Sequence, residues 1–488
     1  MEENTLPHLR GIPKYITKYN VSYYTVALEA WRRGLKVTFH NYNRGSSSMN
    51  RSHQYTISDE HNAYHFLCAR GSHTTQKAID ITENKHKAYE YFKKANVPTP
   101  EGKAFNFRQT PMDEIIEYAL SIGYPLVVKA TSLQGGKGVY THITNLDQLK
   151  ESLLKVRDTY NSENVMVEKY ISGIDYRFFV MKDKVLAASK SYSSFVVGDG
   201  KHNIEELIAI MNKKIKNSRF HAGRTLKVDD DMLSYLNEQN LSLDSVPEKG
   251  KRIFLRRHGT YLSMRLNVDC TDTIDPKFKE YAVKAIQSIE GIPYGSVDMI
   301  IDEEKNEGVV NEINTSGEIA MHITPIEGKP RDIPKAIIDY YFPNTERLSD
   351  TMYFEMKPIK DVILAGLAQD ITVPVIPKEK VYHQQFEITG KNLGPVYLRK
   401  IYRRAARYQL MGTIYKTDKN TISIDLYGTE TNLNRYNRFL KKAKTKISVL
   451  EKLHASDLVE NTNQTHPVHL ELKDLHNPSA KLNLKYPN

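Results

Sequence analysis

Lys129-Ala130-Thr131-Ser132-Leu133-Gln134-Gly135-Gly136-Lys137-Gly138-Val139 closes an apolar β run on a lysine and then opens a glycine-rich loop that carries a second lysine. Glycines let backbone N–H groups come close to phosphate oxygens, and the two lysines offset phosphate charge. The residue order is not that of a Walker loop, because Gly-x-x-x-x-Gly-Lys followed by Ser or Thr is absent. Taken alone, such a loop is also an ordinary hairpin turn. The flanking elements decide between the two readings.

Downstream stands Val165-Met166-Val167-Glu168-Lys169-Tyr170-Ile171-Ser172-Gly173-Ile174-Asp175-Tyr176-Arg177. An apolar strand ending in Glu-Lys, followed by a short turn and an acid, can present backbone groups to an adenine edge and a carboxylate to ribose hydroxyls. It also reads as a strand with a charged end. A third element is acidic: Asp298 lies in Gly295-Ser296-Val297-Asp298-Met299-Ile300-Ile301, and Glu312 and Asn314 lie in Val309-Val310-Asn311-Glu312-Ile313-Asn314. Strand alternation puts Glu312 and Asn314 on one face, and a neighbouring strand can bring Asp298 beside them. Facing carboxylates repel unless a cation lies between them, and Mg²⁺ takes oxygen ligands of this kind together with phosphate. The alternative is a pair of edge carboxylates in solvent.

In this order the three elements resemble the ATP-grasp superfamily, and within it the ligase domains of bifunctional glutathione synthetases and of cyanophycin synthetases. The resemblance runs over residues 81–342 and includes Asp175-Tyr176-Arg177-Phe178-Phe179-Val180, Val197-Gly198-Asp199-Gly200-Lys201, Val246-Pro247-Glu248-Lys249-Gly250 and Val297-Asp298-Met299-Ile300-Ile301. It implies that Lys85 and Lys129 contact ATP phosphates and that Gly135, Gly136, Lys137 and Gly138 form a loop closing over them. It also implies that Glu168, Lys169 and Ile171 line the adenine cleft and that Asp175 holds the ribose. Arg256 matches an arginine near the transferred phosphoryl group, and Asp298, Glu312 and Asn314 match Mg²⁺ ligands, with Mn²⁺ as a substitute metal.

The acceptor region departs from the family pattern. Where the relatives carry paired glycines, this chain has Tyr261-Leu262-Ser263-Met264-Arg265-Leu266-Asn267, and Thr315-Ser316-Gly317-Glu318-Ile319-Ala320 replaces their acceptor loop. Arg177 and Arg265 are read as acceptor contacts.

Composition sets bounds on this reading. A chain of 488 residues is long enough for two to four units at about 150 residues each. With 40% apolar, 10% aromatic and 26% charged residues, most of it is expected to fold. The apolar run Val362-Ile363-Leu364-Ala365-Gly366-Leu367-Ala368 is far short of a membrane span, and Met1-Glu2-Glu3-Asn4 is unlike a signal peptide, so a cytoplasmic protein is expected. Two cysteines, Cys68 and Cys270, exclude a disulfide scaffold and a cysteine-built zinc site. The net charge is +11, and residues 391–450 hold fourteen Lys and Arg against Asp418, Asp425 and Glu430, so a basic module joins a neutral body.

The expected architecture is α/β and α+β. A small N-terminal α/β region over 1–80 precedes the ATP-grasp domain at 81–345. A linker at 346–379 leads to a basic module at 380–453, and 454–488 is a polar tail. The basic module resembles the acylphosphatases, a ferredoxin-like α/β sandwich, through Phe386-Glu387-Ile388-Thr389-Gly390-Lys391-Asn392-Leu393-Gly394-Pro395-Val396-Tyr397. Aligned on Gly390 and Gly394, Leu398 falls at that family's arginine and Lys416 at its asparagine, so a binding module without catalysis is expected. Arg399, Arg403, Arg404 and Arg407 fall on one helix and are read as contacts to an acidic polymer or other anionic partner.

The function expected is that of an ADP-forming, Mg²⁺- and ATP-dependent ligase. It makes an amide or peptide bond through an acyl phosphate, on an amino acid, a peptide or an acidic polymer, and a homo-oligomer is expected. Arg256 and Lys137 are the catalytic candidates. The alternatives are an ATP-dependent phosphoryl transferase and a basic nucleic-acid-binding protein with a vestigial ATP site.

Overall fold

The computed structural model describes residues 5–41, 53–131, 138–257, 264–376, 380–443, 448–460 and 470–474. The chain divides into two compact units. One is built mainly from residues 66–333 together with 14–23, and the other mainly from 24–65 and 334–488.

Two antiparallel sheets frame the first unit. The smaller runs in the order Gly102–Asn106, Asn164–Lys169, Leu126–Ala130, Val139–Ile143. Helices Met112–Ile122 and Leu146–Leu154 seal one face of it, burying Ile115, Ala119, Leu149 and Leu153 against Leu126, Val128, Val165 and Val167. The second helix starts where Asn145 accepts from the backbone N–H of Gln148 at 3.0 Å, an N-cap that fixes its first turn. The regular α-turns stop at Leu154 and a wider turn runs over Lys155–Thr159.

The larger sheet has the order Leu266–Asp269, Lys184–Tyr192, Ile174–Met181, Tyr294–Asp302, Glu307–Asn314. Its central hairpin closes at Lys182-Asp183, where Lys182 takes φ of +54°. Helix Pro276–Gln287 begins with proline in its first turn and Asp275 as cap, and lays Phe278, Ala282, Ala285 and Ile286 onto Phe178, Val180, Val297 and Met299. Beside these sheets a two-stranded ribbon, Phe195–Val197 with Arg252–Phe254, packs with helices Ile204–Asn217 and Asp230–Glu238.

The second unit holds a sheet in the order Asp370–Thr372, Lys36–His40, Gln54–Ser58, Ala63–Leu67. Residues 346–379, expected as a linker, instead carry helix Met356–Leu364 and the strand Asp370–Thr372. Trp31 Nε1 donates to the Pro374 carbonyl at 2.7 Å, so this segment packs within the unit. The basic module is a separate sheet in the order Val449–Ala455, Tyr382–Lys391, Thr421–Gly428, Met411–Lys416, with Leu470–Asp474 parallel to the last. Helices Pro395–Arg407 and Glu430–Leu440 bury Leu398, Ile401, Leu433 and Tyr436 against it, which gives a βαββαβ chain order.

Candidate active site

The first unit contains a cavity of about 950 Å³ lined by Lys85, Lys129, Glu168, Lys169, Ile171, Asp175, Arg177, Glu312 and Asn314. The sequence-predicted residues drawn together here come from one helix and four strands, with Ile171 between two of the strands. Lys85 opens helix Lys85–Lys94, whose cap Asn84 accepts from Lys87 N–H at 3.1 Å. Lys129 and Glu168 lie on adjacent strands of the smaller sheet, and Glu312 and Asn314 end the edge strand of the larger one.

A β-bulge at Asn311 makes the acidic cluster. Asp298 pairs with Glu312, whereas the next pair is Met299 with Val310, so Asn311 is the extra residue. In a regular strand of the same residues, Glu312 would follow Val310 onto the buried face, because side chains two apart share a side. With it, Val310 and Ile313 enter the core while Glu312 and Asn314 face the cavity.

The cluster is compensated by cations from the chain itself. Arg177 Nε and Nη2 each donate to Asp298 at 2.6 Å, and Lys85 Nζ lies 2.8 Å from Glu312. Asn314 Nδ2 donates to Asp298 at 3.0 Å and to Glu312 at 3.1 Å. Burial raises the Asp298 carboxyl above its ordinary value and Glu312 adds to this, against the pull of Arg177. Burial pushes Glu312 the same way, but Lys85 outweighs it and holds Glu312 down to about 2. Lys85 stays above the usual lysine range because Glu312, Glu168 and Asp298 together overcome its own burial. The set suits a divalent cation: three oxygen-bearing side chains converge, two of them carboxylates that now require two protein cations. Among the described residues no group of three or more His, Cys, Asp or Glu forms a metal site.

Lys129 is ion-paired to Glu168, with both side chains less than a tenth exposed. Burial brings its ammonium down to about 8, with Lys85 adding to the effect and Glu168 opposing it. Ala130 N–H donates to the Gly138 carbonyl at 3.0 Å and Gly138 takes φ of +66°. Gly135, Gly136 and Lys137 lie outside the described residues.

Other expected roles are redistributed. Lys169 lines the cavity, but its ammonium donates to the carbonyls of Ile122, Gly123 and Tyr124 at 2.9–3.2 Å, so it ties the strand to the preceding helix end. Asp175 lines the cavity ion-paired with Arg265, while Arg265 itself does not line it. Arg256, expected near the transferred phosphoryl group, is not brought to the cavity. Its guanidinium is taken by Asp229 at 2.5 Å and Asp231 at 2.7 Å, the acids at the start of helix Asp230–Glu238. Arg177, expected at the acceptor, is instead the counter-charge of Asp298.

In the second unit, Leu398 is fully buried, so no phosphate-binding side chain stands where the acylphosphatase pattern needs one. Val396, Arg399, Lys400, Arg403, Arg404 and Arg407 line a groove of about 520 Å³, and none of these four arginines is in an ion pair among the described residues. Sequence reasoning missed Arg70 and Glu318, which also line the cavity of the first unit; no motif marks Arg70, and Glu318 was read only as part of a divergent loop.

Residues 84–189 match the family model for the carbamoyl-phosphate synthase L chain, ATP binding domain. A cyanophycin synthetase of Crocosphaera subtropica is 27% identical over 273 residues, which cover 54% of this chain and 31% of that protein. A glutathione biosynthesis bifunctional protein GshAB of Pasteurella multocida is 30% identical over 288 residues, 56% of this chain and 37% of that protein. The chain thus spans about a third of the length of these curated relatives. The crystal structure of a bifunctional glutathione synthetase from Pasteurella multocida aligns at 25% identity with a TM-score of 0.47, covering 60% of this chain and 41% of that one. The resemblance read from the central half of the sequence is borne out: the chain carries an ATP-grasp domain. The acylphosphatase likeness of residues 380–453 stays an expectation.

Proposed function

We propose that this chain is an ATP-dependent, ADP-forming ligase that joins a carboxylate to an amine. The observation that carries this is that Glu312 and Asn314, with Asp298 bonded to Asn314 beside them, line the same cavity as Lys85 and Lys129. A free carboxylate is a poor electrophile. Transfer of the γ-phosphoryl group to its oxygen makes a phosphorus–oxygen bond, breaks the bond to the β-phosphate and releases ADP. The amine nitrogen then bonds to the acyl carbon, phosphate leaves and the nitrogen gives up a proton.

Asp298, Glu312 and Asn314 would hold Mg²⁺, which supplies charge neutralisation for phosphoryl transfer when bound. Lys85 and Lys129 then leave their carboxylates to meet phosphate oxygens, at a site where burial makes such contacts stronger. Ile171 and the backbone of 168–171 offer the adenine an apolar, hydrogen-bonding edge, and Asp175 offers the ribose an acceptor. Arg177 keeps Asp298 ionised and oriented, which makes it a positioning residue.

The basic groove on helix Pro395–Arg407 supports a second part of the reading, in which an acidic polymer or peptide is the carboxylate substrate held by Arg399, Arg403, Arg404 and Arg407. A nucleic acid fits less well, because Tyr397 is buried and cannot form a stacking surface. The test is ADP formation by the full chain with Mg²⁺, across a panel of amino acids and acidic polymers. ADP release that requires both a carboxylate and an amine supports ligation; release that requires only a hydroxyl acceptor points to phosphoryl transfer instead.

A further inference from the structure

One face of the sheet in the second unit is apolar. Val37 and Phe39 on strand Lys36–His40, and Tyr55 and Ile57 on strand Gln54–Ser58, are fully buried on it. Alternation puts Thr38, His40 and Thr56 on the opposite face, and the antiparallel registers set His40 beside Asp370 and Thr38 beside Thr56 there. On strand Ala63–Leu67, Phe66 is buried and alternation sends the exposed His65 the other way. The result is a hydrogen-bonded line across four strands. Asp370 Oδ1 lies 2.6 Å from His40 Nδ1, His40 Nε2 lies 2.6 Å from Thr56 Oγ1, and that oxygen lies 2.8 Å from His65 Nδ1.

The protons along this line can be placed by counting donors. An ionised carboxylate only accepts, so His40 carries its proton on Nδ1 and presents a bare lone pair at Nε2. The single hydroxyl proton of Thr56 goes to that lone pair, and His65 then donates from Nδ1 to the same oxygen. Two imidazole nitrogens, from the strands on either side of Gln54–Ser58, are thus aimed at one point. Their ring centres are 5.9 Å apart. With zinc–nitrogen bonds of about 2.0–2.1 Å, two imidazoles on one tetrahedral ion have centres roughly 5 Å apart, so a closure of about one ångström lets both reach it. Asp370 stands where a metal-bound histidine ordinarily finds a carboxylate, on the ring nitrogen away from the ion, and it fixes the tautomer of His40 that ligation needs. His65 ligates with its proton moved to Nε2, and its exposed ring lets water accept from that nitrogen.

We infer that His40 and His65, with the Thr56 hydroxyl between them and Asp370 behind His40, form a binding site for Zn²⁺ or a transition-metal ion of like preference. The donors select the ion: imidazole suits zinc, cobalt and copper, whereas Mg²⁺ demands oxygen ligands. Two imidazoles and a hydroxyl leave a fourth, tetrahedral position to water. Only two of these ligands belong to the His, Cys, Asp and Glu set, so the site is distinct from the three-residue groups that are absent among the described residues. The bound ion ties together strands Lys36–His40, Gln54–Ser58 and Ala63–Leu67. Through Asp370 it also holds the three-residue strand Asp370–Thr372, which is too short to be secured by its own ladder and is otherwise helped by the 2.8 Å bond between Thr38 and Thr372. The buried apolar face behind keeps the backbone of the site in place. The site belongs to the second unit and takes no part in the ligase reading.

The experiment uses the full chain, stripped with a chelator that is then removed, in excess Mg²⁺ to occupy oxygen-only sites. Zn²⁺ is titrated by calorimetry and Co²⁺ by visible absorption. The parent should bind Zn²⁺ saturably, and bound Co²⁺ should give the intense visible band of a tetrahedral, nitrogen-ligated ion. His40→Gln and His65→Gln should each weaken this binding about tenfold or more, and Asp370→Asn, which leaves both ligands in place, roughly tenfold. Zn²⁺ should raise the melting temperature of the parent and not that of the histidine variants. His65 is exposed, so His65→Gln should fold with a metal-free melting temperature within about 2 °C of the parent. A readout that needs no variant is the ring-proton NMR of the parent, in which two histidines should shift on addition of Zn²⁺ and return on chelation. Absence of saturable Zn²⁺ binding by the parent up to about 100 µM, or binding that His65→Gln leaves unchanged, overturns the inference and leaves the line as hydrogen bonds alone.

Discussion

Glu312 and Lys129 carry the two residue-scale predictions. Glu312→Ala removes a proposed metal ligand and frees Lys85, so ADP formation should fall about a hundredfold or more while the melting temperature changes little. A variant that turns over ATP at the parental rate would remove the metal assignment. Lys129 titrates near 8 in the ligand-free protein against 10.5 for an ordinary lysine. Between those values the unfolded chain binds more protons than the folded one, so this group's contribution to ligand-free stability rises with pH. Phosphate binding changes in the opposite sense: kcat/KM for ATP should fall as pH rises through about 8, and Lys129→Met should flatten that limb. A limb that persists in the variant assigns it to another group.

Elements show what the sequence reveals and what it hides. The apolar strand that runs into the loop after Lys129 was legible because periodicity is local. Glu312 and Asn314 were rightly placed on one face, but the cause was only partly visible. The step of three from Val310 to Ile313 breaks the period of two, and that break marks the bulge at Asn311. Deleting Asn311 should leave a regular ladder in which Glu312 still pairs with Asp298 and Val310 with Met299, so Glu312 keeps its face and ADP formation should survive. Abolished ADP formation in a folded variant would show that the bulge itself shapes the cluster. The three-residue strand Asp370–Thr372 was illegible because it is too short for any period to register. Arg256 was misplaced because its partners Asp229 and Asp231 lie on a segment whose fold brings them to it, which local pattern cannot reveal. Arg70 and Glu318 were missed for the same reason, since neither stands in a motif and only the cavity makes them neighbours.

For the molecule as a whole, composition separated a neutral body from a basic module, and the structure gives the module its own core and the body its own cavity. Concentrated like charge on helix Pro395–Arg407 is self-repelling, which an anionic partner relieves. With poly-aspartate as substrate, activity of the full chain should fall steeply between low and physiological salt, and replacing Arg399, Arg403 and Arg407 with glutamine should reduce it about tenfold at low salt while sparing a short substrate. Equal activity of both proteins on both substrates would leave the groove without this role. Among the described residues no helix is long and apolar enough to cross a membrane.

Ligation through an acyl phosphate makes one demand that phosphoryl transfer to a hydroxyl and simple ATP hydrolysis do not, namely that a substrate carboxylate oxygen leaves on phosphate. The decisive measurement supplies the full chain with ATP, Mg²⁺ and a mixture of amino acids and short acidic peptides labelled with oxygen-18 in their carboxyl groups, and reads the released phosphate by mass spectrometry. ADP in equal amount to phosphate carrying a single oxygen-18 atom is the predicted result. ADP with unlabelled phosphate, AMP with pyrophosphate, or no turnover with any member of the mixture would contradict it.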